Sequence, residues 1–161
     1  MANTTFSGPV ISKNGFIGFG PGMSVNINST GLGAQGLNLT VNDHAGKLLI
    51  SQDADGIYTL PSINTNANGV TAGTTDYNNL NNIGATFTFY IDTLATDVQI
   101  QTDGVDKFTG AAMLAVDDGA KKAFFPGATN DVLSMNGTTT GGIVGSVIQI
   151  TALESAQYLV H

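Results

Sequence analysis

Few side chains in this sequence could perform acid–base, nucleophilic or metal chemistry. The 161 residues contain no Arg, no Cys, one Glu and two His. Asp43 and His44 precede Ser51 in the chain, and these three residue types can form a nucleophilic triad. However, no Gly-x-Ser-x-Gly elbow surrounds Ser51, and the run DHAG that begins at Asp43 is typical of a hairpin turn. We therefore interpret His44 as a turn residue.

The acidic residues suggest two further sites, and neither pattern is complete. Asp53 and Asp55 stand like the first two ligands of a calcium loop, but the twelfth position is Asn64 where a bidentate Glu is required. Asp117 and Asp118 are adjacent, so on a strand they point to opposite faces and cannot share a ligand. Both pairs are better interpreted as turn residues, and we expect no metal site.

A glycine-rich run, GFGPG at residues 18–22, could suggest a loop that binds phosphate. It lacks the Lys-Ser/Thr ending and the following helix of such loops, and Pro21 removes a backbone donor. Charged residues make up 11% of the chain and apolar residues 42%. This composition favours a structural or binding protein without a cofactor, and we expect no enzymatic activity.

Charge and hydropathy exclude two kinds of partner. The net charge is −7, and only Lys121 and Lys122 are adjacent basic residues. Nucleic-acid binding requires clustered Lys or Arg, so we expect none. No apolar run reaches the roughly 18 to 20 residues of a spanning helix, and residues 1–5 lack the basic start of a signal peptide. We therefore expect no membrane contact, and synthesis in a cytoplasm.

Strand patterns recur along the chain. In Thr86–Ile91 the residues alternate, which puts Phe87, Phe89 and Ile91 on one face. Tight-turn dipeptides of the Asn-Gly and Asp-Gly type separate such segments. The pattern predicts an all-β domain, an antiparallel sandwich of jelly-roll type. The other predicted strands cover residues 37–41, 47–51, 57–60, 98–101, 111–116, 121–125, 131–135, 146–151 and 157–160.

Two stretches depart from the strand pattern. Residues 1–30 carry isolated apolar residues among many glycines, which predicts an extended N-terminal arm that becomes ordered against a partner. From composition alone, an edge strand folded onto its own domain is equally acceptable. Residues 64–82 are rich in Asn, Gly and Thr and predict a long surface loop. The predicted domain organisation is therefore an arm, residues 1–30, and a β-sandwich, residues 31–161.

Four segments resemble one family of virion proteins. They are FSGPVISKNGF (residues 6–16), GATFTFYIDT (84–93), NGTTTGG (136–142) and GSVIQI (145–150). In these segments the chain resembles the capsid decoration, or cement, proteins of tailed bacteriophages of marine type. The resemblance implies a β-rich domain, usually a homotrimer, on the outside of an expanded head, with an N-terminal arm along the major capsid protein.

The resemblance also implies which residues make contacts. The trimer contact is expected near the apolar C-terminal strands, at Ile143, Val147, Leu153 and Tyr158. The arm residues expected to bind the capsid are Phe6, Pro9, Val10, Ile11, Phe16, Ile17 and Phe19.

Two other functions remain open at this point. The first is a carbohydrate- or host-surface-binding module of a virion or cell surface. Sugar platforms usually present Trp or Tyr, whereas this chain has no Trp and four scattered Tyr. The second is a β-structured enzyme, which the incomplete sites above make the weakest alternative.

Overall fold

The computed structural model describes residues 23–33, 36–65, 81–115 and 121–161. In these ranges the fold is all-β, with one short helix, α1. The elements in chain order are β1 (Ser24–Ile27), β2 (Leu37–Asn38), α1 (Val41–His44), β3 (Leu48–Ser51), β4 (Ile57–Thr59), β5 (Thr86–Ile91), β6 (Val98–Gln101), β7 (Lys107–Gly110), β8 (Ala112–Ala115), β9 (Lys121–Phe124), β10 (Val132–Met135), β11 (Val147–Glu154) and β12 (Gln157–Val160).

The strands form three sheets with mixed pairing. The largest sheet has the order β1-β3-β5-β11-β12-β7, the second has the order β10-β6-β4-β2, and β8 and β9 form a separate hairpin. Five strand pairs are parallel: β1–β3, β3–β5, β7–β12, β2–β4 and β4–β6. The predicted strands are present, but the prediction of purely antiparallel sheets was wrong.

The first six strands explain the parallel pairing. Along the chain they alternate between the two larger sheets, and each returns beside the strand two positions earlier in the same direction. The Asp55-Gly56 turn was read as a sign of a hairpin. It instead connects β3 in one sheet to β4 in the other. A tight turn reverses the chain, but it does not determine that the two flanking strands pair with each other.

One hydrophobic core receives side chains from both larger sheets. The predicted inner face of β5 is confirmed, because Phe87, Phe89 and Ile91 are each at most 1% exposed. The ring of Tyr58 in β4 lies 6.0 Å from that of Phe89 between centroids. The Tyr58 hydroxyl is 2.8 Å from the Ser51 hydroxyl. This bond satisfies two polar groups that burial would otherwise leave without a partner.

Two regions differ from the sequence prediction. Strand β1 falls inside the range 1–30 predicted as an arm, yet it pairs with β3, and Ile27 is 1% exposed. Residues 39–41, predicted as strand, lead into α1. Thr40 starts this helix, because its hydroxyl accepts a hydrogen bond from the Asp43 N–H at 3.2 Å.

The segment predicted as a long loop has its two ends joined. The Asn82 N–H donates to the Asn64 carbonyl at 3.0 Å, and the Asn64 N–H donates to the Asn82 side-chain carbonyl at 2.8 Å. The Asn82 side-chain amide also donates to the Ser62 carbonyl at 2.8 Å. Asn82 is 5% exposed. Residues 66–80 lie outside the described part of the chain.

Candidate functional site

The residues considered for a triad make separate structural contacts. The Thr40 N–H donates to Nδ1 of His44 at 2.9 Å, so this ring nitrogen is the acceptor. The Asp43 carboxylate accepts from the Thr40 hydroxyl at 2.8 Å. Ser51 is fully buried against Tyr58. Burial lowers the pKa of His44. These contacts fix α1 and the core, and no bond among them links His44 to Ser51.

Asp53 connects two turns. Its carboxylate accepts from the Ser29 N–H at 2.8 Å, from the Ser29 hydroxyl at 3.1 Å and from the Thr30 hydroxyl at 3.1 Å. The Ser29 hydroxyl in turn accepts from the Ile57 N–H at 2.9 Å. Burial opposes ionisation of Asp53, but these hydrogen bonds outweigh it and lower its pKa. The residue is therefore a structural anchor between the segments after β1 and before β4.

A second acidic group surrounds the turn before β7. Asp103 accepts from the Ser62 hydroxyl at 2.7 Å, and Asp106 accepts from the Ile63 N–H at 2.7 Å. The Lys107 ammonium lies 2.8 Å from the Asp131 carboxylate. Each of these acids is thus used within the fold. Among the described residues, no three His, Cys, Asp or Glu side chains come together as metal ligands would. Asp117 and Asp118 lie outside the described residues.

The largest concave surface is apolar. It is a groove of about 490 Å³, bounded by the β8–β9 hairpin, by β10 and by the segment that enters β11. The described residues that line it carry no charged side chain. Seven of them are large apolar residues that solvent reaches: Met113, Phe124, Phe125, Val132, Ile143, Val144 and Val147. We call these seven residues and the hollow between them the apolar groove.

The loop after β10 holds one side of the apolar groove in place. The Asn136 side-chain carbonyl accepts from the N–H groups of Thr138, Thr139 and Thr140. Gly142 has a φ of +85°, and a Cβ there would lie 2.6 Å from the Ala95 Cβ. Only glycine fits this position without strain. The loop therefore delivers the following residues in a fixed conformation.

Residues 143–146 form a tight turn at the rim of the groove. The Ser146 N–H donates to the Ile143 carbonyl at 2.9 Å, and the Gly145 N–H donates to the Ile91 carbonyl at 2.9 Å. Ile143 is 49% exposed and Val144 is 56% exposed. A turn this short cannot bury its own side chains, so these two remain available to a partner.

The residues predicted for a trimer contact occupy three different environments. Ile143 and Val147 line the apolar groove. Leu153 is 43% exposed and lies near the other end of β11, outside the groove lining. Tyr158 is fully buried in the core, where its hydroxyl donates to the Pro61 carbonyl at 2.5 Å. The trimer itself stays a prediction, but the side chain of Tyr158 is not at the surface of the chain.

The predicted capsid-binding residues of the arm lie outside the described residues. They are Phe6, Pro9, Val10, Ile11, Phe16, Ile17 and Phe19.

Sequence reasoning missed most of the apolar groove. Phe124 and Phe125 were assigned to a strand, although adjacent strand residues face opposite ways and one sheet face cannot bury both. Phe125 is 76% exposed and Phe124 40%. The aromatic pair was therefore the signal that could have identified this surface.

No protein-family model matches the chain, and no curated protein or solved structure is significantly similar to it. Within the described ranges, no helix has the length and apolar character needed to cross a bilayer.

Proposed function

We propose that this chain is a virion structural protein, a capsid decoration or cement protein of a tailed bacteriophage. In this proposal it is made in the host cytoplasm, binds the outer surface of the expanded head and stabilises the shell. Its partners are the major capsid protein and two further copies of itself. The two larger sheets form the sandwich of the bound unit, and residues 1–22 form the arm.

The observation that carries the proposal is the apolar groove. An exposed, concave, uncharged surface of this kind marks a site for a macromolecular partner. The acidic residues described above take part in hydrogen bonds or an ion pair within the fold, which is consistent with a protein that acts by binding. The resemblance of four sequence segments to cement proteins supplies the class of assembly.

The arm would contribute through its backbone and its apolar side chains. An extended segment can add to an exposed sheet edge of the capsid, where main-chain hydrogen bonds give affinity and alternate side chains give register. Residues 1–22 contain one charged side chain, Lys13. Attachment should therefore depend only weakly on salt, unlike a contact built on ion pairs.

A carbohydrate-binding function is less well supported. Sugar platforms rely on exposed aromatic rings, and Tyr58 and Tyr158 are both fully buried. Two of the four tyrosines are thus unable to stack on a ligand.

The test is thermal melting of emptied, expanded heads with and without the protein, at low and at high salt. Bound protein should raise the melting temperature, because a ligand that binds only the intact shell stabilises it by mass action. A full-length variant with Phe16→Asp should bind heads at least about tenfold more weakly, since it places a charge in an apolar contact. Val105→Asp, at a 73% exposed position in the turn before β7, is the control.

Heads that melt at the same temperature with and without saturating protein would refute a cement function. Specific binding to a glycan array, without binding to heads, would instead favour the carbohydrate-binding alternative.

A further inference from the structure

The β8–β9 hairpin is the least supported element of the fold. In the part of the chain that the structure describes, it pairs with no strand of the two larger sheets. An isolated two-stranded hairpin is only marginally stable in water. Ala112 at its base packs against the core, whereas Met113 is 83% exposed and Phe125, directly after β9, is 76% exposed. The hairpin thus presents apolar side chains that the domain itself does not cover.

The opposite side of the apolar groove has the same character. Val132 is 41% exposed, and the rim residues Val144 and Val147 are 56% and 60% exposed. Aromatic residues and methionine, which the hairpin supplies, are enriched at protein interfaces, and charged residues are depleted at their centres. A projecting apolar hairpin beside an apolar hollow is complementary to a second copy of the same surface.

Charge selects the partner. The chain has a net charge of −7, so two copies repel wherever their acidic surfaces approach within a Debye length of about 8 Å. The described residues lining the apolar groove carry no charge. This is therefore the surface on which identical acidic chains meet with the least repulsion.

We propose that a second copy of this chain docks on the apolar groove, so that the β8–β9 hairpin of each copy is covered by its neighbour. Met113, Phe124, Phe125, Val132 and Val144 become contact residues together with Ile143 and Val147, while Leu153 and Tyr158 lie outside the contact. The inference rests on the proposed function only for the number of copies, three, which closes a ring around an axis.

The experiment is sedimentation velocity of full-length protein over a concentration series, with two matched substitutions. Val144→Asp and Val105→Asp each put a carboxylate in place of an exposed valine in a turn, but only Val144 lines the groove. The wild type and Val105→Asp should sediment as trimers at micromolar concentration. Val144→Asp should raise the dissociation constant about 100-fold, because it buries an unpaired charge.

A second variant guards against misfolding. Met113→Asp should also dissociate the oligomer, and both groove variants should retain the circular dichroism spectrum of the wild type. Raising the NaCl concentration should tighten the wild-type assembly, because salt screens the repulsion between acidic copies.

Three results would overturn the inference. The first is a wild type that stays monomeric at 100 µM, about a hundredfold above the micromolar range typical of weak complexes. The second is a trimer that survives both Val144→Asp and Met113→Asp while the same variants lose head binding, which would assign the groove to the shell and leave the cement function standing. The third is a trimer dissociated by Phe16→Asp alone, which would assign the groove to the N-terminal segment.

Discussion

Replacing Asp53 with alanine should lower the free energy of unfolding by about 2–4 kcal/mol. The carboxylate is 8% exposed and accepts three hydrogen bonds from Ser29 and Thr30. A hydrogen bond to a charged group contributes about 1.5–3 kcal/mol, and the three contributions overlap because they share one acceptor group. The variant also leaves the Ser29 N–H without its partner. For a chain of this size, 3 kcal/mol corresponds to a fall in Tm of about 9 °C.

The effect should depend on pH in a defined direction. The pKa of Asp53 is lower in the folded protein than its ordinary value of 3.8. A carboxyl group with a depressed folded pKa stabilises the fold above its unfolded pKa, and this contribution disappears as the pH falls through the folded pKa. The difference between wild type and Asp53→Ala should therefore be full at pH 7 and should shrink below about pH 4.

The assay is urea unfolding at pH 7 and at pH 3, with Asp55→Ala as the control. Asp55 is an exposed acid in the same turn, so its loss should change stability by no more than about 0.5 kcal/mol. Equal losses for the two variants at pH 7, or a loss for Asp53→Ala that is independent of pH, would contradict the assignment of Asp53 as an anchor.

Two further substitutions test the groove support and the buried acid. Gly142→Ala should destabilise the fold by about 2 kcal/mol more than Gly145→Ala, because both have positive φ but only Gly142 would bring a Cβ against Ala95; equal urea midpoints would contradict this. Asp106→Asn should keep the bond from the Ile63 N–H. Burial raises the pKa of Asp106, so its charge costs stability as the pH rises above 3.8, and the variant should gain on the wild type between pH 3 and pH 7; a constant difference in unfolding free energy would count against it.

Alternation in the sequence was sufficient to place most strands and their buried faces. In β5 every second residue is buried, and the same period identifies Val98 and Ile100 in β6. This works because a strand with one buried face must repeat every two residues. Strand β1 was missed because its two apolar residues, Val25 and Ile27, follow a long glycine-rich stretch.

Strand partners and the groove could not be predicted in the same way. Turn dipeptides specify a local φ, but not whether the next strand joins the same sheet, so the parallel order of β1 to β6 required the three-dimensional arrangement. The apolar groove combines β8, β9, β10 and the start of β11, which are separated in sequence. Its residues follow no shared period, and they become one surface only after the chain has folded.

The joined ends of the segment between Asn64 and Asn82 make this position suitable for carrying foreign sequence. Its backbone and side-chain bonds bring entry and exit together before β5 begins, so the sheets do not depend on the length of what lies between. Doubling the length of such a loop adds only about 0.6 kcal/mol of closure entropy. A peptide epitope or a small domain inserted here would be presented at a fixed place on each copy, and in an assembly of many copies it would form a regular, multivalent array.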